Sequence, residues 1–114
     1  MTKDPRVYLE HILQSIELIE SYVQGHTLEE FLESVALQDQ VIRRIEIIGE
    51  AARNLPEELT AKYPDVPWQR IVAMRNILIH VYFGVDLELA WQAATHEVRT
   101  LKQSIQKIKQ DLAR

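Results

Sequence analysis

Fold class follows most directly from residues 87–112, which read LELAWQAATHEVRTLKQSIQKIKQDL. Apolar side chains recur there at alternating steps of four and three residues, which places them along one side of an α-helix. They are Leu87, Trp91, Ala94, Val98, Leu101, Ile105, Ile108 and Leu112. Asp86 precedes them and is a favourable N-cap residue. We predict a long helix that packs within its own bundle, with a share in a subunit interface as the less favoured use.

The start of the chain carries a second helical pattern. Asp4 followed by Pro5 is a typical helix start, with a capping side chain and then a proline in the first turn. Apolar residues recur at steps of three and four over residues 9–23, and Gly25 ends the pattern. We therefore predict a first helix that ends before Gly25.

A third pattern occupies the middle of the chain. Thr27 and Glu30 have the spacing of a capping box. The apolar pattern that follows them predicts helix through Leu55, with a kink near residues 37–40. The small residues at 49–52 would let another helix approach closely.

A loop with two prolines follows, over residues 63–68. Pro67 predicts the start of another helix that runs to Leu78, and the β-rich stretch 81–85 should interrupt it. These patterns together predict an all-α domain, an up-and-down bundle of four to five helices.

Composition restricts the class of protein. The chain has 114 residues, 46% of them hydrophobic, which suits one domain over residues 1–114. It has no cysteine, so no disulfide is expected, and no apolar run long enough to span a membrane. The opening residues lack the apolar core of a secretory signal, so we expect a soluble, cytoplasmic protein. A net charge of −4 argues against DNA as a partner.

Common metal and nucleotide motifs are missing from the sequence. No two of the four histidines are three or four residues apart, and there is no Glu-x-x-His pair. There is also no glycine-rich phosphate loop. We therefore expect neither a metal nor another cofactor.

The chemically informative stretch is MRNILIHVYFG, residues 74–84. In a straight α-helix Asn76 and His80 share a face, so the amide could fix the imidazole tautomer. Arg75 and His80 lie about 140° apart on such a helix, so both serve one site only if the helix breaks or a second subunit contributes.

This residue set suits cleavage of an RNA phosphodiester. A histidine can exchange protons with the 2′-hydroxyl or the leaving oxygen, and a guanidinium can hold the phosphate. The alternative is a purely structural helix end, in which Arg75 pairs with a surface acid and His80 faces the last carbonyl groups.

The motif Arg75-Asn76-x3-His80-x-Tyr82 resembles the Arg-x4-His-x-Tyr signature of the HEPN ribonucleases, in particular the HepT toxins, also described as DUF86. The likeness extends to residues 42–53 (IRRIEIIGEAAR) and 63–68 (YPDVPW), which resemble the family's central helix and the loop before its motif. It covers residues 5–112, almost the whole chain.

The resemblance implies a HEPN-type homodimer, with further association left open, in which Arg75 binds the scissile phosphate and His80 acts as general acid and base. Asn76 would orient the site. It also implies a type VII toxin–antitoxin system, in which an MntA-type minimal nucleotidyltransferase antitoxin transfers AMP to Tyr82.

Glu46 and Glu50 lie one turn apart in the segment that resembles the central helix. They could orient the catalytic groups, but ion pairing with Arg43 or Arg53 is the favoured reading. The five basic residues within 99–114 are expected to stabilise a helix C-terminus, with an RNA or acidic-partner surface as the alternative.

Two other functions stay open on the sequence alone. The first is a non-catalytic helical interaction module that partners a nucleotidyltransferase, for which the acidic net charge is an argument. The second is a helical nucleotide-binding domain in which Arg75 and Tyr82 would hold a phosphate and a base.

Overall fold

The computed structural model describes residues 4–76 and 86–114, and these parts of the chain contain helices and no strands. The helices are α1 (Pro5–Val23), α2 (Leu28–Glu33), α3 (Val35–Arg53), α4 (Glu57–Thr60), α5 (Trp68–Ala73), α6 (Leu87–Gln92) and α7 (Val98–Leu112). A 3-10 turn, Met74–Asn76, extends α5, and a π-helical segment, Ala93–Glu97, joins α6 to α7. The predicted all-α fold is confirmed.

Helix α1 begins and ends where the sequence predicts. The Asp4 carboxylate accepts a hydrogen bond from the Arg6 backbone amide at 3.0 Å, and Pro5 occupies the first turn. After Val23 the chain reverses through Gly25, whose φ of 80° is readily adopted only by glycine.

The capping box at the start of α2 is confirmed, but the predicted kink at residues 37–40 is wrong. The Thr27 hydroxyl accepts from the Glu30 amide at 3.1 Å, and the Glu30 carboxylate accepts from the Thr27 amide at 2.9 Å. The helix breaks earlier, at Ser34, whose hydroxyl accepts from the Leu37 amide at 3.1 Å and so starts α3. A serine offers the backbone this alternative partner, which favours a cap over helix interior.

The core lies between α1, α3 and α7, the three longest helices of the described residues. Each helix contributes apolar side chains at three-to-four spacing, as predicted, and α2 adds Phe31, whose ring centroid lies 5.3 Å from that of Trp91. The fully buried aliphatic side chains include Leu9, Ile12, Ile16, Ile19, Val41, Ile48, Val98, Ile105 and Ile108.

Residues 87–112 form a continuous helix with one irregular segment. Asp86 caps it as predicted, since its carboxylate accepts from the Leu89 amide at 3.3 Å. A regular α-helix, as the heptad spacing predicts, is not found over Ala93–Glu97, because this segment is π-helical. The Thr95 hydroxyl donates to the Trp91 carbonyl at 2.7 Å within this irregular turn. The apolar seam still faces the core, from Ala94 to Ile108, so its use within the bundle is confirmed.

Among the described helices, none is both long and apolar enough to cross a membrane.

Candidate active site

The loop before α5 sets the position of the candidate site. Trp68 is the first residue of α5, and its indole nitrogen donates to the Tyr63 carbonyl at 3.1 Å, which closes the loop. The Tyr63 hydroxyl donates to Asp111 at 2.7 Å, which ties the loop to α7. Pro67 precedes the helix, as the sequence predicts. These two hydrogen bonds fix the loop from which α5 begins.

Arg75 and Asn76 lie on the 3-10 turn that extends α5. Met74 is buried and anchors this turn in the core, whereas Arg75 is half-buried and Asn76 is exposed. The straight α-helix assumed for residues 75–80 is thus incorrect at its first two residues, because α5 ends at Ala73. A 3-10 turn advances each residue by about 120° instead of about 100°, so the predicted angle between Arg75 and His80 does not apply.

The backbone of the 3-10 turn lies against Gly49 of α3. A Cβ atom on Gly49 would lie 3.1 Å from both the Cβ and the amide nitrogen of Arg75, and 3.2 Å from the Val72 carbonyl oxygen. The sequence predicted a close helix approach at residues 49–52, and the structure confirms it there. The missing side chain allows Arg75 to rest directly on α3.

Glu50, the next residue of α3, contacts Arg75 through its side chain. Its Oε1 atom accepts from the NH1 nitrogen of the guanidinium. The Glu50 side chain is 46% exposed and that of Arg75 is 38% exposed, so solvent reaches the pair. The contact uses one of the three guanidinium nitrogens, and a guanidinium has five N–H donors. Donors therefore remain for a second anion.

The two candidate carboxylates of α3 have different partners. Glu46 pairs with Arg43 at 3.6 Å, as the surface-pairing prediction had it. For Glu50 that prediction is wrong, since its partner is Arg75 and not Arg43 or Arg53. The structure thus joins Glu50 to Arg75 and leaves Glu46 in a pair on its own helix.

His80 and Tyr82 lie outside the described residues, so their relation to Arg75 and Asn76 stays a prediction. Of the other histidines, His26 is exposed and lies 3.7 Å from Glu30. In the described parts of the chain, no three histidine or acidic side chains cluster in a way that would hold a metal ion.

Sequence reasoning expected a surface acid beside Arg75 only in the purely structural alternative, and it did not identify that acid as Glu50. The two residues of the pair are 25 positions apart, and local spacing carries no information about such a contact. The one available signal was the glycine next to Glu50, because a close approach at Gly49 brings some other element to that face of α3.

Comparison with known proteins places this chain in a family. The model of a family described as "Ribonuclease HepT-like" matches residues 12–108. A protein of Methanocaldococcus jannaschii named "Gamma-glutamylcyclotransferase and putative RNase" is 53% identical over 112 residues, which are 98% of this chain and 50% of that protein. The chain thus spans half the length of this relative.

Other relatives match along nearly their whole length. A "Putative RNase" of Caldanaerobacter subterraneus subsp. tengcongensis is 43% identical, over 95% of this chain and 96% of that protein. The "Probable ribonuclease HepT" of Thermococcus cleftensis is 38% identical, over 96% of this chain and 99% of that protein. No solved structure matches the chain significantly. The family match and the full-length relatives show that this chain belongs to the HepT-like ribonucleases.

Proposed function

We propose that the chain is the toxin of a type VII toxin–antitoxin system, a metal-independent endoribonuclease that acts in the cytoplasm as a homodimer. Membership of the HepT-like ribonucleases supports the reaction class. The contact between Glu50 and Arg75 carries the assignment of the site, because it presents an oriented, solvent-accessible guanidinium.

The proposed reaction is a transesterification within RNA. The 2′-oxygen attacks phosphorus and the bond to the 5′-oxygen breaks, which gives a 2′,3′-cyclic phosphate and a 5′-hydroxyl. His80 takes the proton of the 2′-hydroxyl or, as imidazolium, donates a proton to the leaving oxygen. Arg75 holds the phosphate oxygens and stabilises their developing charge.

The other site residues orient these two groups. Glu50 fixes one edge of the Arg75 guanidinium, so the remaining donors can face the phosphate. Asn76, exposed on the same 3-10 turn, would orient His80. In a homodimer the two copies of Arg75 and His80 would line one cleft.

Regulation would act on Tyr82. An MntA-type nucleotidyltransferase would transfer AMP from ATP to the tyrosine hydroxyl and release pyrophosphate. The added phosphate carries negative charge, so it would repel RNA phosphates at the adjacent His80 site and block access. Mass spectrometry of the protein with and without this partner tests the modification.

The deciding experiment is cleavage of a labelled RNA pool in EDTA, by the unmodified protein and by His80→Ala. We expect cleavage by the parent and loss of cleavage in the variant, with 2′,3′-cyclic phosphate ends. Equal activity in both samples would remove His80 from the mechanism. An inactive, unmodified parent would favour the non-catalytic interaction module that partners a nucleotidyltransferase. Light scattering of the same samples tests the homodimer.

A further inference from the structure

Arg53 is the last residue of α3 and lies beside the candidate site. It follows Gly49, on which the backbone of Arg75 rests, by four residues. Four residues advance an α-helix by about 6 Å and turn it by about 40°, so Arg53 lies on the same side of α3 as the Arg75 contact. Its position is therefore one turn beyond that contact, toward the C-terminus of α3.

The last turn of α3 is well formed up to this residue. The Asn54 backbone amide caps the helix by donating to the Ala51 and Ala52 carbonyls, and its side-chain amide donates to the Glu50 carbonyl at 2.8 Å. The base of the Arg53 side chain is therefore fixed relative to Glu50, while the residue itself is exposed.

The charge around Arg53 leaves its guanidinium open to an external anion. Glu50 is three residues before it and would suit an ion pair on the helix surface, but the Glu50 carboxylate contacts Arg75 instead. Glu46, two turns before Arg53 on α3, is paired with Arg43 instead. Among the ion pairs of residues 4–76 and 86–114, none involves Arg53.

We propose that Arg53 is a second phosphate-binding residue for RNA, at the backbone phosphate next to the one that Arg75 holds. The proposal rests on the proposed ribonuclease function of the Arg75 site. Successive phosphates of an extended strand are separated by a step comparable to one helical turn, which is the offset along α3 between Gly49, against which Arg75 rests, and Arg53. In a chain of net charge −4, such local cations must supply the electrostatic attraction to RNA.

The test measures binding of a labelled single-stranded RNA to the His80→Ala protein over a series of salt concentrations. Arg53→Gln in this background should weaken binding about 10-fold at low salt, the lower end of the loss expected for one charge-assisted contact. It should also reduce the slope of log K against log salt by about 0.7, the contribution of one phosphate on a single strand. Arg53→Lys keeps the charge and should retain most of the slope.

Lys62→Gln is the matched control, since it removes one positive charge from an exposed site after α4, beside a different surface cavity that Tyr63 and Asp111 also line. Its salt slope should equal that of the parent. In the catalytically active protein, Arg53→Gln should raise KM with little change in kcat, because it removes a contact made equally in ground state and transition state.

Two results would overturn the proposal, and they have different consequences for the ribonuclease function. Equal salt slopes for Arg53→Gln, Lys62→Gln and the parent, in a protein that cleaves RNA, would reject Arg53 as a phosphate contact and leave the ribonuclease function standing. Absence of both RNA binding and cleavage in the parent would reject the ribonuclease function and, with it, this role of Arg53.

Discussion

Glu50 and Arg75, 25 residues apart in sequence, are in side-chain contact where the 3-10 turn after α5 rests on α3. The contact exists because Gly49 has no side chain, so the turn lies directly on the helix surface. A half-exposed ion pair of this kind adds little stability, about 0–1 kcal/mol. Its main consequence is that the guanidinium has a defined direction at a surface that a phosphate can reach.

Removal of the Glu50 carboxylate should therefore affect catalysis more than folding. We expect Glu50→Ala to lower kcat about 10- to 100-fold, because misplacement of a phosphate-binding group by about 1 Å has an effect of that order. Glu50→Gln keeps an acceptor oxygen and should have a smaller effect. Single-turnover cleavage and urea unfolding measure the two quantities.

The control for Glu50 is Glu20→Gln, which removes a comparable half-buried carboxylate that pairs with Lys102 at 2.8 Å. Its kcat should match that of the parent. If Glu50→Ala also left kcat unchanged, the positioning role would be wrong.

Gly49→Ala should reduce both stability and activity. The new methyl group would meet backbone atoms and a Cβ at 3.1–3.2 Å, none of which is the free end of a flexible side chain. Overpacking of this kind costs about 1–3 kcal/mol, and the better helix propensity of alanine offsets about 1 kcal/mol of it. We expect a net loss of about 1 kcal/mol by urea unfolding, together with a lower kcat as the Arg75 turn shifts.

Gly25→Ala is the control that separates loss of stability from loss of activity. Nothing lies within 4 Å of a Cβ at Gly25, but its φ of 80° would strain alanine. The cost in stability should be about 1–2 kcal/mol. Cleavage at a temperature where both proteins are folded should be that of the parent. If Gly49→Ala behaved in the same way, a role of Gly49 in placing Arg75 would be contradicted.

Phe31 should be among the most costly residues to truncate. Its side chain is fully buried, and its ring packs against Trp91 at a centroid distance of 5.3 Å. Phe31→Ala should lower the free energy of unfolding by about 3–5 kcal/mol. The neighbouring Leu32 is 39% exposed, so Leu32→Ala should cost much less. Chemical denaturation of both variants tests the contrast, and equal losses would contradict this packing.

Stability should fall at alkaline pH through Tyr63. The hydrogen bond that the Tyr63 hydroxyl donates to Asp111 raises the pKa of Tyr63 above its usual 10.0, and burial adds to this. The folded state therefore holds the phenolic proton more tightly than the unfolded state. The stabilisation is complete below pH 10 and is lost as the pH rises through the raised pKa.

Tyr63→Phe tests this contribution. At pH 7 the variant should lose at most about 1 kcal/mol of unfolding free energy. That is a typical net value for one hydrogen bond, and solvent screening lowers the contribution of this one. The difference between parent and variant should shrink above pH 10. A difference that stayed constant up to pH 11 would mean that ionisation of Tyr63 is not linked to folding.

Local sequence was sufficient for the helices and most of their ends. The caps at Asp4, Thr27 and Asp86 involve partners two or three residues away, so their spacing alone predicts them. The buried side of each long helix also follows from periodicity, because the helix repeat decides which residues share a face. The helix predictions failed at Ser34 and in the π-helical segment Ala93–Glu97. At both places a side-chain hydroxyl, of Ser34 or of Thr95, forms a hydrogen bond with the backbone.

The candidate site was only partly predictable. Arg75, Asn76, His80 and Tyr82 were identified as residues with suitable chemistry, and a family resemblance gave them roles. The sequence by itself thus determined the helical class, the core faces and the chemical groups available. Tertiary structure decided that Glu50, and not a neighbour on its own helix, lies against Arg75. The physical reason is that a contact between two helices depends on how closely their backbones approach, and that distance is set by packing of the whole bundle around Gly49.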